Sequence, residues 1–207
     1  MENKLKNALS ELRKEKERKF NQTAELIINL QKFDVKKTPL NFFVSIPFKI
    51  KDKKICAFFE VRNKNIDTIT LDDFKKYSEK KELKKFTKKY DFFVAQTSLM
   101  PKVATAFGRI LGPAGKMPSP QLGILAGTGD KEIEEIKKKI NNSIRIKVKE
   151  PSIKVAVGKQ QMKDEEIIEN IMTIYNAVLK NLSKGKDNIK NIKLKFTMTK
   201  PQKISIR

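Results

Sequence analysis

Two kinds of hydrophobic pattern follow one another along this chain, and their order restricts the fold more than any other feature. Residues 2–19 place Leu5, Ala8, Leu9 and Leu12 at helical spacing among charged residues, which predicts a surface helix with one apolar stripe. Segments 23–31 (TAELIINLQ) and 40–50 (LNFFVSIPFKI) are rich in Ile, Phe and Val and flank a polar stretch with Pro39. They read as strands able to pair as antiparallel neighbours. From residue 54 the pattern changes. KICAFFE is a nearly unbroken apolar run, followed by helical spacing from Leu71 to Lys89, the run YDFFVAQ, and a helix beginning near Ser98. Unbroken apolar strands alternating with helices imply a parallel or mixed sheet covered on both faces. Ile133, Ile136 and Ile140 mark one more amphipathic helix, ending around Asn141 and Asn142.

Period-two alternation then returns. Ile144, Ile146 and Val148 form one run, and Ile153, Val155 and Val157 the next; joined through Glu150, Pro151 and Ser152, they read as a hairpin. Asp164 offers an N-cap, Glu165 and Glu166 suit the positive end of a helix dipole, and Ile167, Ile171, Ile174, Val178 and Leu182 give a helix over about 165–182 an apolar face. The last strand, near 191–200, alternates Ile192, Leu194, Phe196 and Met198 on a core face with Lys193, Lys195, Thr197 and Thr199 on the other. The simplest organisation is an α/β protein of two domains. A split α+β domain is formed by residues 1–53 and 144–207, and an α/β domain is inserted at 54–143.

The 207 residues include 46 Lys plus Arg against 24 Asp plus Glu, a net charge of +22. Self-repulsion on that scale calls for a polyanionic partner. The cations are spread along the whole chain and not gathered on one amphipathic helix, which favours nucleic acid over a membrane surface. No apolar run approaches the length of a spanning helix, and the N-terminus lacks the apolar core of a signal peptide. The split domain carries 28 basic and 13 acidic residues and the insert 18 and 11, so the split domain should make the main electrostatic contact. The lysine runs at 14–19, 80–89 and 137–139 read as solvated helix faces.

The chain has no histidine, which removes the commonest general base and the commonest zinc ligand together. Its one cysteine, Cys56, lies inside the apolar run ICAFF, so no internal disulfide can form, as suits a reducing cytoplasm. Neither glycine-rich segment fits a nucleotide. In GRILGPAGKMPSP at 108–120, Ile110 stands where a phosphate loop needs its first glycine, and Met117 follows Lys116 where it needs Ser or Thr. GTG at 127–129 lacks the last small residue of a dinucleotide fingerprint and precedes an acidic helix. No cofactor, metal or catalytic residue is expected. A general nucleic-acid chaperone is the alternative, and a nucleotide-dependent enzyme a more distant one.

The segment 108–120, with three glycines and three prolines after a helix, reads as a tight loop, and it resembles the signature loop of the ribosomal protein L-one family. KFNQTAELIINL at 19–30 is similar to that family's first strand, VAVGK at 155–159 to its hairpin return, and FTMTKP at 196–201 to its C-terminal threonine-methionine motif. Nearly the whole chain is covered. The resemblance implies a split domain bound to large-subunit ribosomal RNA and a Rossmann-like insert on a two-stranded hinge. It implies a structural protein of the mobile side stalk, cytoplasmic and monomeric apart from the ribosome, that assists release of deacylated tRNA from the exit site. It also implies translational repression through the protein's own messenger.

Carried over by position, the family's RNA face comprises Lys19, Phe20, Thr23 and Glu25 from the first strand and Thr197, Met198 and Thr199 from the last, with Lys159, Lys193 and Lys195 around them. The signature loop comprises Gly108, Arg109, Gly112, Pro113, Gly115, Lys116 and Pro118. Hydroxyls on rigid β-structure would meet ribose 2′-hydroxyls while lysines reach phosphates. Two departures stand out. Thr199 occupies the place of a family glycine, and Ala114 a place where relatives often carry a base, which leaves Arg109 and Lys116 for any contact by the loop.

Overall fold

Each segment of period-two alternation forms a strand in the computed structural model, which describes residues 1–16, 18–35, 37–77, 80–125, 127 and 129–204. The centre of the GTG segment, Thr128, and the basic end at Arg207 lie outside the described residues. In chain order the elements are α1 (Glu2–Lys14), β1 (Thr23–Leu30), β2 (Asn41–Ser45), β3 (Ile55–Phe58), β4 (Asp67–Ile69), α2 (Lys80–Lys89), β5 (Phe92–Gln96), α3 (Met100–Ala114), β6 (Ile124–Leu125), α4 (Asp130–Asn141), β7 (Ser143–Lys147), β8 (Ser152–Lys159), α5 (Asp164–Asn181), β9 (Ile189–Phe196) and β10 (Gln202–Ile204). They gather into two units, Met1–Ile50 with Asn142–Arg207, and Lys51–Asn141.

The first unit is built on an antiparallel sheet of order β10-β9-β1-β8. Residues opposite one another in such a ladder share a face. Ile204, Ile192, Ile28 and Ile153 therefore form one row across all four strands, and each is buried. Leu5 and Leu9 of α1 and Ile167, Ile171, Ile174 and Val178 of α5 complete the same core. Thr23, Glu25, Ile27 and Asn29 alternate with the buried residues of β1 and face the other way.

β1 and β2 are not the neighbours their patterns suggested. Both edges of β1 are occupied, by β8 and β9, while β2 pairs with β7 in a separate ladder from Asn41↔Lys147 to Ser45↔Ser143. For the same reason β7 and β8 are not a paired hairpin; each is laddered to a different strand, and the Pro151 carbonyl accepts the amide of Leu30. Alternation identifies a strand and its buried face but carries no information on its partner. The N-cap of α5 is Lys163 and not Asp164: the Lys163 amide donates to the Glu166 carboxylate at 3.2 Å, while Asp164, in the first turn, pairs with Arg13. β9, the strand predicted near 191–200, ends at Phe196, so Met198 is no core residue; it is 57 % exposed in the turn that follows, before a further strand, β10.

The second unit holds a parallel sheet of order β4-β3-β5-β6, with all of β3 buried. One face packs Phe58 and Phe93 of the sheet against Phe86 of α2 and Phe107 of α3, with the Phe58 and Phe107 ring centroids 5.0 Å apart. The opposite face packs Ala57, Phe59 and Val94 against Ile133 and Ile140 of α4. The helical region from Leu71 to Lys89 is a 3-10 segment, Leu71–Tyr77, followed by α2. Among the described residues no helix is long and apolar enough to cross a membrane.

The segment 108–120 is only half a loop. α3 continues through Gly108, Arg109, Gly112 and Pro113, because Val103, Phe107 and Leu111 recur every fourth residue and bury one stripe. The helix ends at Gly115, whose φ of 69° is left-handed. The Gly115 amide donates to the Gly112 carbonyl and the Lys116 amide to that of Leu111, both at 2.9 Å, a glycine cap that satisfies the last turn.

Candidate nucleic-acid interface

Period two continued backwards from β1 places Gln22 on the core face with Ala24, and the structure buries it to 2 % exposure. A polar side chain there needs partners. Its Nε2 donates to Gln160 Oε1 at 3.2 Å, its carbonyl accepts the Gln160 amide at 2.8 Å, and its Oε1 accepts the Met198 amide at 3.0 Å. Gln22 thus joins the start of β1, the end of β8 and the turn after β9. It was overlooked in the sequence, where the only available signal was its register with Ala24.

That turn is held at each of its residues. The Thr23 amide donates to Thr197 Oγ1 at 3.0 Å, while the Phe196 amide donates to Thr199 Oγ1 at 2.9 Å and the Thr199 amide returns to the Phe196 carbonyl at 3.2 Å. Thr199 is buried, so its side chain lies behind the turn, unlike the exposed Thr197 and Met198. The Lys159 ammonium donates to Thr23 Oγ1 at 2.7 Å. Thr23, Lys159, Thr197 and Met198 are therefore gathered about one end of the sheet, with Lys19 and Phe20 in the segment that leads into β1 and borders Gln160. There Phe20 and Met198 are 51 % and 57 % exposed, the only exposed large apolar side chains among the described residues of this unit.

The other proposed contacts lie along the outward sheet face. Lys195 is opposite Glu25, with an ammonium-carboxylate distance of 3.9 Å. Lys203, Lys193, Ile27 and Lys154 form the next row, and beyond it Asn191, Asn29 and Ser152 are hydrogen-bonded across three strands at 2.7 and 2.8 Å. The face is rich in lysine, and the core helices α1 and α5 pack on the opposite side of the sheet.

In the second unit the signature residues mostly build structure. The Lys116 ammonium donates to the carbonyls of Thr87 and Tyr90, both at 2.8 Å, and so satisfies the C-terminal end of α2. Pro118 is buried, and Arg109 is the exposed cation of the segment. Burial, with Asp67 adding to it, pushes the Cys56 thiol up to about 12, which leaves it protonated and unreactive at neutral pH. Among the described residues no three His, Cys, Asp or Glu side chains are grouped to hold a metal ion.

Comparison with known proteins gives a consistent result. A family model described as "Ribosomal protein L1p/L10e family" matches residues 12–200. The chain is 36 % identical over 197 residues to the protein named "Large ribosomal subunit protein uL1" of Nanoarchaeum equitans, covering 90 % of this chain and 92 % of that one. It is 36 % identical over 200 residues to the protein of that name in Pyrobaculum arsenaticum (91 % and 87 % covered) and 32 % over 194 residues to that of Pyrococcus abyssi (88 % and 86 %).

Proposed function

The chain belongs to the Ribosomal protein L1p/L10e family, and on that premise we propose that its first unit clamps the ribosomal RNA of the mobile side stalk, near the tRNA exit site. At the coarser level it is a structural protein of the large ribosomal subunit and not an enzyme, and it works in the cytoplasmic ribosome. The observation that carries the finer reading is the locked turn. Thr197 and Met198 are fixed against Thr23 and Gln22, with Phe20 and Lys159 beside them. A rigid end of this kind, with hydroxyls and backbone groups outward and lysines around it, selects RNA by shape while phosphate contacts supply affinity.

The outward lysines Lys193 and Lys195 track the backbone along the sheet. The inserted unit, carried on the chain crossings at residues 50–51 and 141–142 as its hinge, assists the exit of deacylated tRNA. The same face represses translation by binding a copy of the stalk's RNA shape in the protein's own messenger. Hydroxyl-radical footprinting of large-subunit RNA with and without the protein tests the central part. Protection confined to the side stalk is expected; protection spread over many helices would instead mark a general nucleic-acid chaperone.

A further inference from the structure

Beside the locked turn lies a cleft of about 420 Å3 that extends from Lys19 and Phe20 to Arg13. Its floor is Arg13. The guanidinium donates through Nε to Asp164 at 2.8 Å, through Nη1 to the Gln160 carbonyl at 2.7 Å, and through Nη2 to the Met162 carbonyl at 2.8 Å. These bonds tie the end of α1 to the connection between β8 and α5 and fix the walls. On one side stand Gln160 and Gln161, on the other residues 18–21.

Three features converge there. Phe20 offers a half-exposed ring. Asn21 Nδ2 donates to Gln161 Oε1 at 2.9 Å, which leaves the Asn21 oxygen and the Gln161 amide nitrogen without partners among the described residues, an acceptor beside a donor. Arg18 and Lys19 carry no ion pair among the described residues. The stacked pairs of a duplex offer no base face to such a ring, whereas an unpaired base presents both its face and its hydrogen-bonding edge. The size falls within the range of small-ligand sites, but among the described residues that line it there is no glycine-rich phosphate cradle to hold a free nucleotide.

We propose that this cleft receives one unpaired nucleotide of the bound RNA, its base stacked on Phe20, its edge on Asn21 and Gln161, and its phosphate on Arg18 and Lys19. The inference rests on the RNA-binding reading above and adds a point of base recognition to it. The probe is the side-stalk RNA fragment with 2-aminopurine at each unpaired position in turn. One position should be quenched on binding. Phe20→Ala should abolish the quench and weaken binding about tenfold, the scale of one base-aromatic stack, and Phe20→Trp should restore both. Deleting the quenched nucleotide should weaken binding to the parent protein more than binding to Phe20→Ala, because the two changes share the loss of the stack. Tight, selective binding with no position quenched, or a quench that survives Phe20→Ala, would overturn the cleft and leave the stalk reading standing. Failure to select the stalk RNA at all would overturn both.

Discussion

With its side chain buried and its hydroxyl accepting the Phe196 amide, Thr199 closes the turn from behind. The atoms it adds relative to glycine therefore lie away from the surface that Thr197 and Met198 present. Thr199→Val should leave a buried amide unpaired and lower stability by about 1–3 kcal/mol in urea unfolding. Thr199→Ser should recover most of that loss, and a Val variant as stable as the parent would refute the assignment. Lys116 makes the complementary case, a cation expected at an RNA contact whose ammonium is held by the carbonyls of Thr87 and Tyr90. Lys116→Met should destabilise the second unit by about 2 kcal/mol, the usual scale for hydrogen bonds to a charged group. It should leave RNA affinity unchanged in a binding titration; a large loss of affinity with unchanged stability would return Lys116 to the interface.

The helix α3 separates what local composition says from what packing decides. Gly108, Gly112 and Pro113 are poor helix formers, yet the buried stripe of Val103, Phe107 and Leu111 carries the helix to Ala114, and the turn waits for Gly115. Opposite outcomes follow for two glycines three residues apart. A Cβ at Gly112 meets nothing within 4 Å, so Gly112→Ala should raise stability by about 0.5–1 kcal/mol through reduced chain entropy. Gly115→Ala should lower it by about 1 kcal/mol, because φ of 69° strains any residue with a Cβ. Thermal unfolding of both variants checks the pair, and the same sign for both would contradict the cap.

Most strands and helices were legible in the sequence because their patterns are local. Strand partners were not, since the ladder of β1 with β8 and β9 and of β2 with β7 is set by tertiary packing. At the proposed interface Thr23, Thr197 and Met198 were named through a recognisable motif, whereas Gln22 was hidden because its importance comes from three hydrogen bonds to two residues distant in the chain, Gln160 and Met198. The inward turn of Thr199 was equally invisible, since the strand alternation that predicted an outward side chain stops at Phe196.

At the scale of the molecule, a net charge of +22 ensures attraction to any polyanion. Charge alone cannot choose among RNAs; in the proposed function the locked turn does that. The two contributions respond differently to salt, because phosphate contacts release counterions and lose roughly 0.7–0.9 units of log K per log unit of salt for each contact, while shape recognition does not. The most direct test of the account is the binding of the side-stalk RNA and of an unrelated duplex across a salt series, with Thr197→Ala beside the parent. The account predicts a preference for the stalk RNA that persists at moderate salt and collapses in Thr197→Ala, with the salt slope nearly unchanged. Equal binding to both RNAs, unaltered by the substitution, would contradict it.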